Sequence, residues 1–415
     1  MNTPLFIAKK MNQERKKGAR VVRTTSAIVV GSVALSICVI MIALSIVRGF
    51  RTEIRDRATG FVGQIIISPF GTTYLNDAYP LSLDTSYLPK IAECDNVQHI
   101  QYFAFRHGVI KTGEAMQQVV VKGVGKEFDP TFFTSVLSKG TFPRLNDSIP
   151  SMELLVSKRL SESLKIDVDQ VIDIWFIDQS TPRIRRFTVS GVYDAVLEEI
   201  DQILVIGDLR VVQRLNSWTS KEVGGFELLL HNPLLMERTA RDIREIAAQY
   251  MTDQDQGLSI ITVKDLFSHL FDWLNLIDMN LLIVLILMMA VAGVNMISGL
   301  LIMLFDKTSM IGLLKALGMR NRDIRLTFIY RMGRLVLWGM AMGNVVSLTL
   351  CLLQKKFAII TLDQTNYAVS SVPIALDVWS ILLMNVVSLL LILSIIVAAS
   401  MMVTRMAPER SLRVK

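Results

Sequence analysis

Apolar residues gather into four uncharged runs, at residues 27–47, 279–305, 335–354 and 378–404, with a mixed stretch (48–278) between the first and the second. Each run is long enough to cross a bilayer, because about 20 apolar residues rising ~1.5 Å each span a hydrocarbon core of ~30 Å. Charges bound them at Arg48, Asp278, Asp306, Arg334, Lys355, Asp377 and Arg405. The second and fourth exceed what a perpendicular crossing needs, so they tilt or project beyond the lipid. The pattern predicts a four-pass membrane protein divided into a cytoplasmic amphipathic segment (1–26), a first span (27–47), a large outside domain (48–278), a second span (279–305), a cytoplasmic loop (306–334), a third span (335–354), a short outside loop (355–377), a fourth span (378–404) and a cytoplasmic tail (405–415).

Helical periodicity continues past the membrane runs. After the first, Phe50, Ile54 and Ala58 recur at four-residue spacing among charges, which predicts one rod over 27–59 of about 50 Å. Before the second, Leu266, Phe267, Leu270, Phe271, Leu274 and Ile277 mark an amphipathic helix that enters the lipid without a break. These two stalks either simply support the domain or take part in its work. Between them, short β-rich runs (VGQIIIS, QQVVVKGV, DQVIDIWFI, RRFTVSGVY, QILVIG, FELLLH) alternate with helical patterns at 152–164, 209–215 and 234–250, which predicts an α/β domain of one lobe or two. Asp178 to Arg186, with Pro182 inside, reads as the tip of a hairpin. No repeat of 20 to 50 residues is visible.

Charge orients the chain. Ahead of the first span stand Lys9, Lys10, Arg15, Lys16, Lys17, Arg20 and Arg23 against Glu14 alone; the 306–334 loop carries seven basic residues against two acidic, and the 405–415 tail four against one. Four spans bring all three segments to one side, which the positive-inside tendency makes cytoplasmic. The domain between has 24 Lys and Arg against 31 Asp and Glu, a net of −7, so the overall +7 belongs to the membrane flanks and implies no nucleic-acid partner. The first run is too long for a cleaved signal peptide and no convincing small-x-small cleavage site follows it, so it reads as an uncleaved anchor. Cys94 is the sole cysteine of the outside domain, which excludes a disulfide within it.

The candidate chemistry is sparse. The glycine-rich KGVGKE around Lys126 lacks the distal glycine and the following hydroxyl of a phosphate-binding loop, so the chain has no nucleotide site of its own. His99, His107, His231 and His269 are dispersed, without metal-ligand or triad spacing. Glu198, Glu199 and Asp201 read as a solvated turn. Inside the spans, Asn295 and Ser298, Asn344 and Ser347, and Asn385 and Ser388 form i, i+3 polar pairs suited to interhelical hydrogen bonds, while no charge lies at mid-bilayer where an ion path would need one. If the chain moves anything, its energy comes from elsewhere.

The 306–334 loop, DKTSMIGLLKALGMRNRDIRLTFIYRMGR, predicts a short helix with Ile311, Leu314 and Lys315, ended by Gly318 in a left-handed cap, then a second helix with Ile324 and Phe328. It reads either as a docking element for a partner or as a basic, lipid-facing linker. MIGLLKALGMRNRDIRLTFIY resembles the coupling signature of the permeases grouped with FtsX and MacB. VALSICVIMIALSIVRGFRTEIRDRATGF resembles the first span and stalk of the lipoprotein-releasing (Lol) permeases within that family. VAGVNMISGLLIMLFDK resembles the second span, and RRFTVSGVY a late strand of the outside domain. Together these cover nearly the whole chain in the expected order.

The resemblance implies a type VII ABC exporter-like fold, with four transmembrane helices and a large extracytoplasmic α/β domain on helical stalks, in the bacterial inner membrane. It implies a second permease subunit, identical or paralogous, and cytoplasmic ABC ATPase subunits that hold ATP and Mg, with no cofactor bound by this chain. Closure of the ATPases would drive the stalks and release lipoproteins to a periplasmic carrier. It assigns ATPase coupling to Ile311, Leu314, Lys315, Leu317 and Gly318, the stalk and lipoprotein entry to Gly49, Phe50, Ile54, Phe271 and Leu274, and carrier contact to the hairpin of Asp178, Pro182 and Arg186. Met310 stands where the signature has an acidic residue, and the hairpin is shorter than the family's recruiting hook. Related activities are export of periplasmic peptides or small molecules, as in MacB, and activation of a periplasmic hydrolase, as in FtsX.

Overall fold

The computed structural model describes residues 19–404 apart from 77–78, 114, 146–148, 178–181, 195–197, 251–256, 307, 363–368 and 370. It divides into two compact units: Met1–Thr52 with Trp273–Leu362 and Ser371–Lys415, and Glu53–Asp272 with Asp363–Ser370.

Five helices dominate the first unit: α1 (Ala19–Val62, whose last residues belong to the second unit), α2 (Ser268–Asp306), α3 (Thr308–Ala316), α4 (Asn321–Phe357) and α5 (Val378–Thr404). All but α3 are long and apolar enough to cross a membrane. Small residues one turn apart let α4 lie close against α1. A Cβ built on Gly343 would sit 2.6 Å from the Ala34 carbonyl oxygen, and one on Gly339 would sit 3.0 Å from that of Val30. Ser347 continues the stripe, its Oγ donating to the Gly343 carbonyl at 2.8 Å and touching Met41 Sδ at 2.8 Å. Close backbone approach is how membrane helices gain packing energy where lipid removes any hydrophobic drive to associate.

Across the unit, α4 and α5 exchange a pair of amide hydrogen bonds: Asn344 Nδ2 donates to Asn385 Oδ1 at 2.7 Å, and Asn385 Nδ2 returns one to Asn344 Oδ1 at 3.2 Å. Asn344→Leu leaves Asn385 with an unmatched amide oxygen and is expected to cost about 1 kcal/mol, in line with interhelical hydrogen bonds in membranes. Unfolding of Asn344→Leu, Asn385→Leu and the double variant in detergent measures this. Purely additive costs would show that the two amides do not cooperate.

The second unit is built on a mixed ten-stranded sheet. Its strands are β1 (Ile65–Pro69), β3 (Val97–Thr112), β4 (Ala115–Val124), β5 (Leu137–Gly140), β6 (Glu153–Ser157), β7 (Val171–Phe176), β8 (Arg183–Tyr193), β9 (Leu204–Asp208), β11 (Gly225–Leu230) and β12 (Leu258–Thr262); β2 (Leu81–Ser82) and β10 (Glu222–Val223) pair separately. The order is β12-β1-β11-β3-β4-β9-β6-β8-β5, with β7 joining β3 and β8. Among the described residues, only β4 with β9 and β6 with β8 run parallel. One continuous sheet runs through the unit.

Several local readings change. The stretch 152–164 is strand β6 followed by the helix Lys158–Leu164, with Ser157 Oγ capping the Leu160 N–H at 3.1 Å. Leu154, Leu155 and Val156 are all buried, and a short continuous apolar run has no period to separate strand from helix. Asp201 is only 6% exposed and sits in a one-turn helix, Glu198–Asp201, so it is not a solvated turn residue. The approach to α2 is broken: Thr262 and Asp265 form a capping box on the short helix Val263–Leu266, Phe267 leaves helical geometry, and α2 starts at Ser268.

Where the chain leaves the sheet, its two exits are neighbours. Val62 ends α1, Gly63 takes φ +69°, and Gln64 N donates to Leu228 O at 2.9 Å as β1 begins. β1 pairs antiparallel with β12, Ile65 opposite Thr262, and Thr262 opens the helical turn that precedes α2.

Candidate functional site

Three places draw together the residues singled out by sequence. The first is α3 and the turn after it. Gly318 takes φ +82°; Met319 N donates to Leu314 O at 3.0 Å and Gly318 N to Lys315 O at 3.0 Å, a Schellman closure that satisfies the last carbonyls of the helix. Packing against the rest of the unit sets which face α3 shows. Ile311 turns inward and is 3% exposed, packed into the membrane unit's apolar core, and Leu314 and Lys315 are half-buried. The outward apolar residues are Leu317, 75% exposed, and Leu313, 59% exposed, four residues apart on one face. Gly318 is exposed beside them. Leu313 was missed by the sequence reading; its i, i+4 relation to Leu317 is the signal that finds it.

The second place is the end of the first unit where α1 meets the start of α5. Arg48 bonds Asp377 at 2.7 Å and also reaches the Ser380 hydroxyl, and Arg51 bonds Asp278 at 2.8 Å. The Ser380 hydroxyl is the main cause that holds the Asp377 carboxyl below the usual carboxylate range, with backbone N–H groups and Arg48 adding to it. Between the two arginines, Phe50 packs edge-on to Trp273 with ring centroids 6.2 Å apart. Gly49 lies under the loop between α4 and α5: a Cβ there would come 2.1 Å from the Pro373 carbonyl oxygen. Ala375 N donates to Ser45 O at 3.1 Å, so the loop straps onto α1 at this level. Leu274 is buried in the same unit; Ile54 and Phe271 belong to the sheet unit, Ile54 buried and Phe271 packed on its core.

The third is the β7–β8 hairpin. Asp178 lies outside the described residues, while Pro182 and Arg186 are exposed. Arg186 pairs with Asp173 at 3.1 Å, directly across the ladder. The next cross-strand pair on that face is Trp175 with Ile184, both exposed, and Val171 extends the stripe. The sequence reading names Arg186 and misses the tryptophan beside it.

A chain with four helices long and apolar enough to cross a membrane, a separate sheet unit and a short capped helix between the second and third of those helices has relatives. The profile described as the FtsX-like permease C-terminal matches residues 282–408. The MacB-like periplasmic core domain matches residues 26–246, more than half of the chain. The chain belongs to the FtsX/MacB-type ABC transporter permease family. Among curated proteins, the lipoprotein-releasing system transmembrane protein LolC of Xylella fastidiosa is 23% identical to this permease over 398 residues, 92% of each chain. LolE of Haemophilus influenzae is 22% identical over 364 residues, 85% of this chain and 83% of that one. Among solved structures, the periplasmic region of MacB from Actinobacillus actinomycetemcomitans aligns with a TM-score of 0.33 at 10% identity, over 52% of this chain and 96% of that one. The permease is thus an inner-membrane subunit of an ABC-type transport complex, with a MacB-like periplasmic core domain.

Proposed function

We propose that this permease releases lipoproteins from the outer leaflet of the inner membrane to a periplasmic carrier, using ATP hydrolysed by separate cytoplasmic ATPase subunits. The observation that carries the reading is the likeness to lipoprotein-releasing permeases over 92% of both chains. The chain is without a phosphate-binding loop, so ATP and Mg belong to the ATPase, and the exposed Leu313 and Leu317 on α3 are suited to its groove. Both termini are cytoplasmic by the distribution of basic residues. A second permease subunit completes the complex, and acylated substrate enters near Gly49 and Phe50. Each buried CH₂ of an acyl chain adds about 0.8 kcal/mol of anchoring, so extraction needs both an energy source and a shielding acceptor. The apolar stripe of Val171, Trp175 and Ile184 beside Arg186 gives the hairpin the character of a protein-contact surface, suited to the carrier.

The test reconstitutes the complex with a triacylated lipoprotein in proteoliposomes and follows the lipoprotein into the soluble fraction. Release that requires both ATP and carrier is the expected result. Hydrolysis without release counts against it. The MacB-like core match favours a second reading, export of periplasmic peptides or small molecules, which ATP-dependent accumulation of such a solute would support.

A further inference from the structure

Two opposite charges are shut inside the sheet unit. Lys122 on β4 and Glu227 on β11 have side chains that are 0% exposed, with Nζ 2.6 Å from Oε1. Glu227 is fully matched: Tyr74 OH donates to Oε1 at 2.9 Å and Gln101 Nε2 donates to Oε2 at 2.8 Å. Lys122 is matched as well. Its ammonium donates to Glu227, to Tyr74 OH at 3.4 Å, and to the Phe61 carbonyl oxygen at 2.7 Å, with the rings of Phe103 and Phe128 5.8 and 5.7 Å away. Burial pulls the lysine's pKa below its ordinary value, while Glu227 acts in the other direction.

Stability does not account for this arrangement. Enclosing two ions costs several kcal/mol each, and well-packed apolar side chains in their place are often neutral or stabilising. What the ion pair adds is direction. Phe61 is the penultimate residue of α1, and its carbonyl is among the last four of the helix, which have no partner within it. A cation at that end is also favoured by the helix dipole. The Phe61 side chain meets rings, edge-on to Phe132, Phe133 and Tyr193, apolar contacts without the fixed direction of a hydrogen bond. Lys122 is different, since it holds one oxygen at one place. The same strand that holds Lys122 through Glu227 also receives the second N–H beyond the helix, Gln64 N on Leu228 O.

We propose that Lys122 is a positioning residue that fastens the end of α1 to the sheet, so that displacement of the helix passes to β1 and β11 rather than being lost as rotation about its axis. The inference rests on the ATP-driven reading given above, and its test separates the two. The full complex in nanodiscs is compared with and without ATP and vanadate by hydrogen exchange and mass spectrometry, for the parent and for Lys122→Met/Glu227→Gln. This pair of substitutions removes both charges and keeps an acceptor for Tyr74.

The expected parental result is an ATP-dependent change of exchange in β1 and β11. In the double variant that change falls about tenfold, within the range by which residues between two sites alter their coupling, while ATP turnover and melting temperature stay near parental. An undiminished change in a folded double variant overturns the role of Lys122 and leaves the functional reading standing. No ATP-dependent change in the parental sheet overturns both. If the double variant melts early, Lys122→Met/Glu227→Leu/Tyr74→Phe replaces it, putting apolar side chains where the buried polar cluster stood and still removing the bond to the Phe61 carbonyl. A loss of the ATP-dependent change then supports the proposal, and a parental signal overturns it.

Discussion

Leu317→Asp is expected to release the ATPase from a permease that still folds and inserts. The side chain is 75% exposed and follows the last turn of α3, so an aspartate there meets solvent and costs the fold almost nothing. In a groove of the ATPase the same carboxylate would be desolvated without a partner. Truncating a central apolar anchor commonly costs 2 kcal/mol or more, which is roughly thirtyfold in Kd, and a buried charge adds to that. Leu313→Asp, on the same face, is expected to behave alike. Ile311→Asp is the contrast: this residue is enclosed in the apolar core of the membrane unit, so its variant fails in yield and stability before docking can be read. Co-purification of the ATPase with each variant, beside the melting temperature of the permease alone, is the measurement. Parental ATPase recovery with Leu317→Asp would remove this face from the interface. Gly318→Ala adds a further check, because open space surrounds its Cβ and its only penalty is φ +82°, about 1–2 kcal/mol of strain at the cap.

What the sequence makes legible follows from how far each signal reaches along the chain. The four spans and their charged borders are local in composition, and the family assignment follows from runs of local pattern such as VALSICVIMIALSIVRGF and MIGLLKALGM. Gly318 is equally local, since a glycine after a short apolar helix needs no tertiary information to be read as a cap. The phase of α3 is another matter. Nine residues give fewer than three turns, too few for periodicity to decide between Ile311 and Leu313 as the outward residue, and packing against the rest of the unit decides it. The i, i+3 polar pairs of the spans are visible as candidates, yet which of them meet depends on helix rotation; Asn344 meets Asn385, whereas Ser347 turns to Met41 instead. Lys122 is the farthest from any local signal. QQVVVKGV reads as a strand, but the residues that explain its lysine are Phe61, Tyr74 and Glu227, brought together by a sheet whose order no single segment encodes.

Gly49→Ala and Gly31→Ala, two identical substitutions in the same helix, are expected to have opposite signs. In a helix interior, alanine is favoured over glycine by roughly 0.5–1 kcal/mol, because glycine loses more backbone entropy on folding. Gly31 has nothing within 4 Å of a built Cβ, so its alanine variant should gain that amount. Gly49 meets backbone rather than a side chain: the Cβ would fall 2.1 Å from the Pro373 oxygen, 2.5 Å from its carbon and 3.0 Å from the Ile374 nitrogen. Backbone cannot yield by changing rotamer, and this loop is held on both flanks. Ala375 is bonded to Ser45 and Asp377 to Arg48, while Gln354 receives the Ile360 N–H at 3.0 Å and donates back to the Ile360 carbonyl at 3.1 Å. Relief requires the strap to lift from α1, at a cost of about 1–3 kcal/mol for the methyl and more for Gly49→Leu. The lifted loop would disturb Arg48–Asp377 and the neighbouring Phe50–Trp273 contact, so ATP-driven release should fall with Gly49→Leu even where protein inserts normally. Melting temperatures of the two alanine variants in one detergent give the sign directly. Equal shifts for both would mean that the α4–α5 loop does not rest on Gly49, and the glycine would then have to be explained by what passes over it rather than by what packs on it.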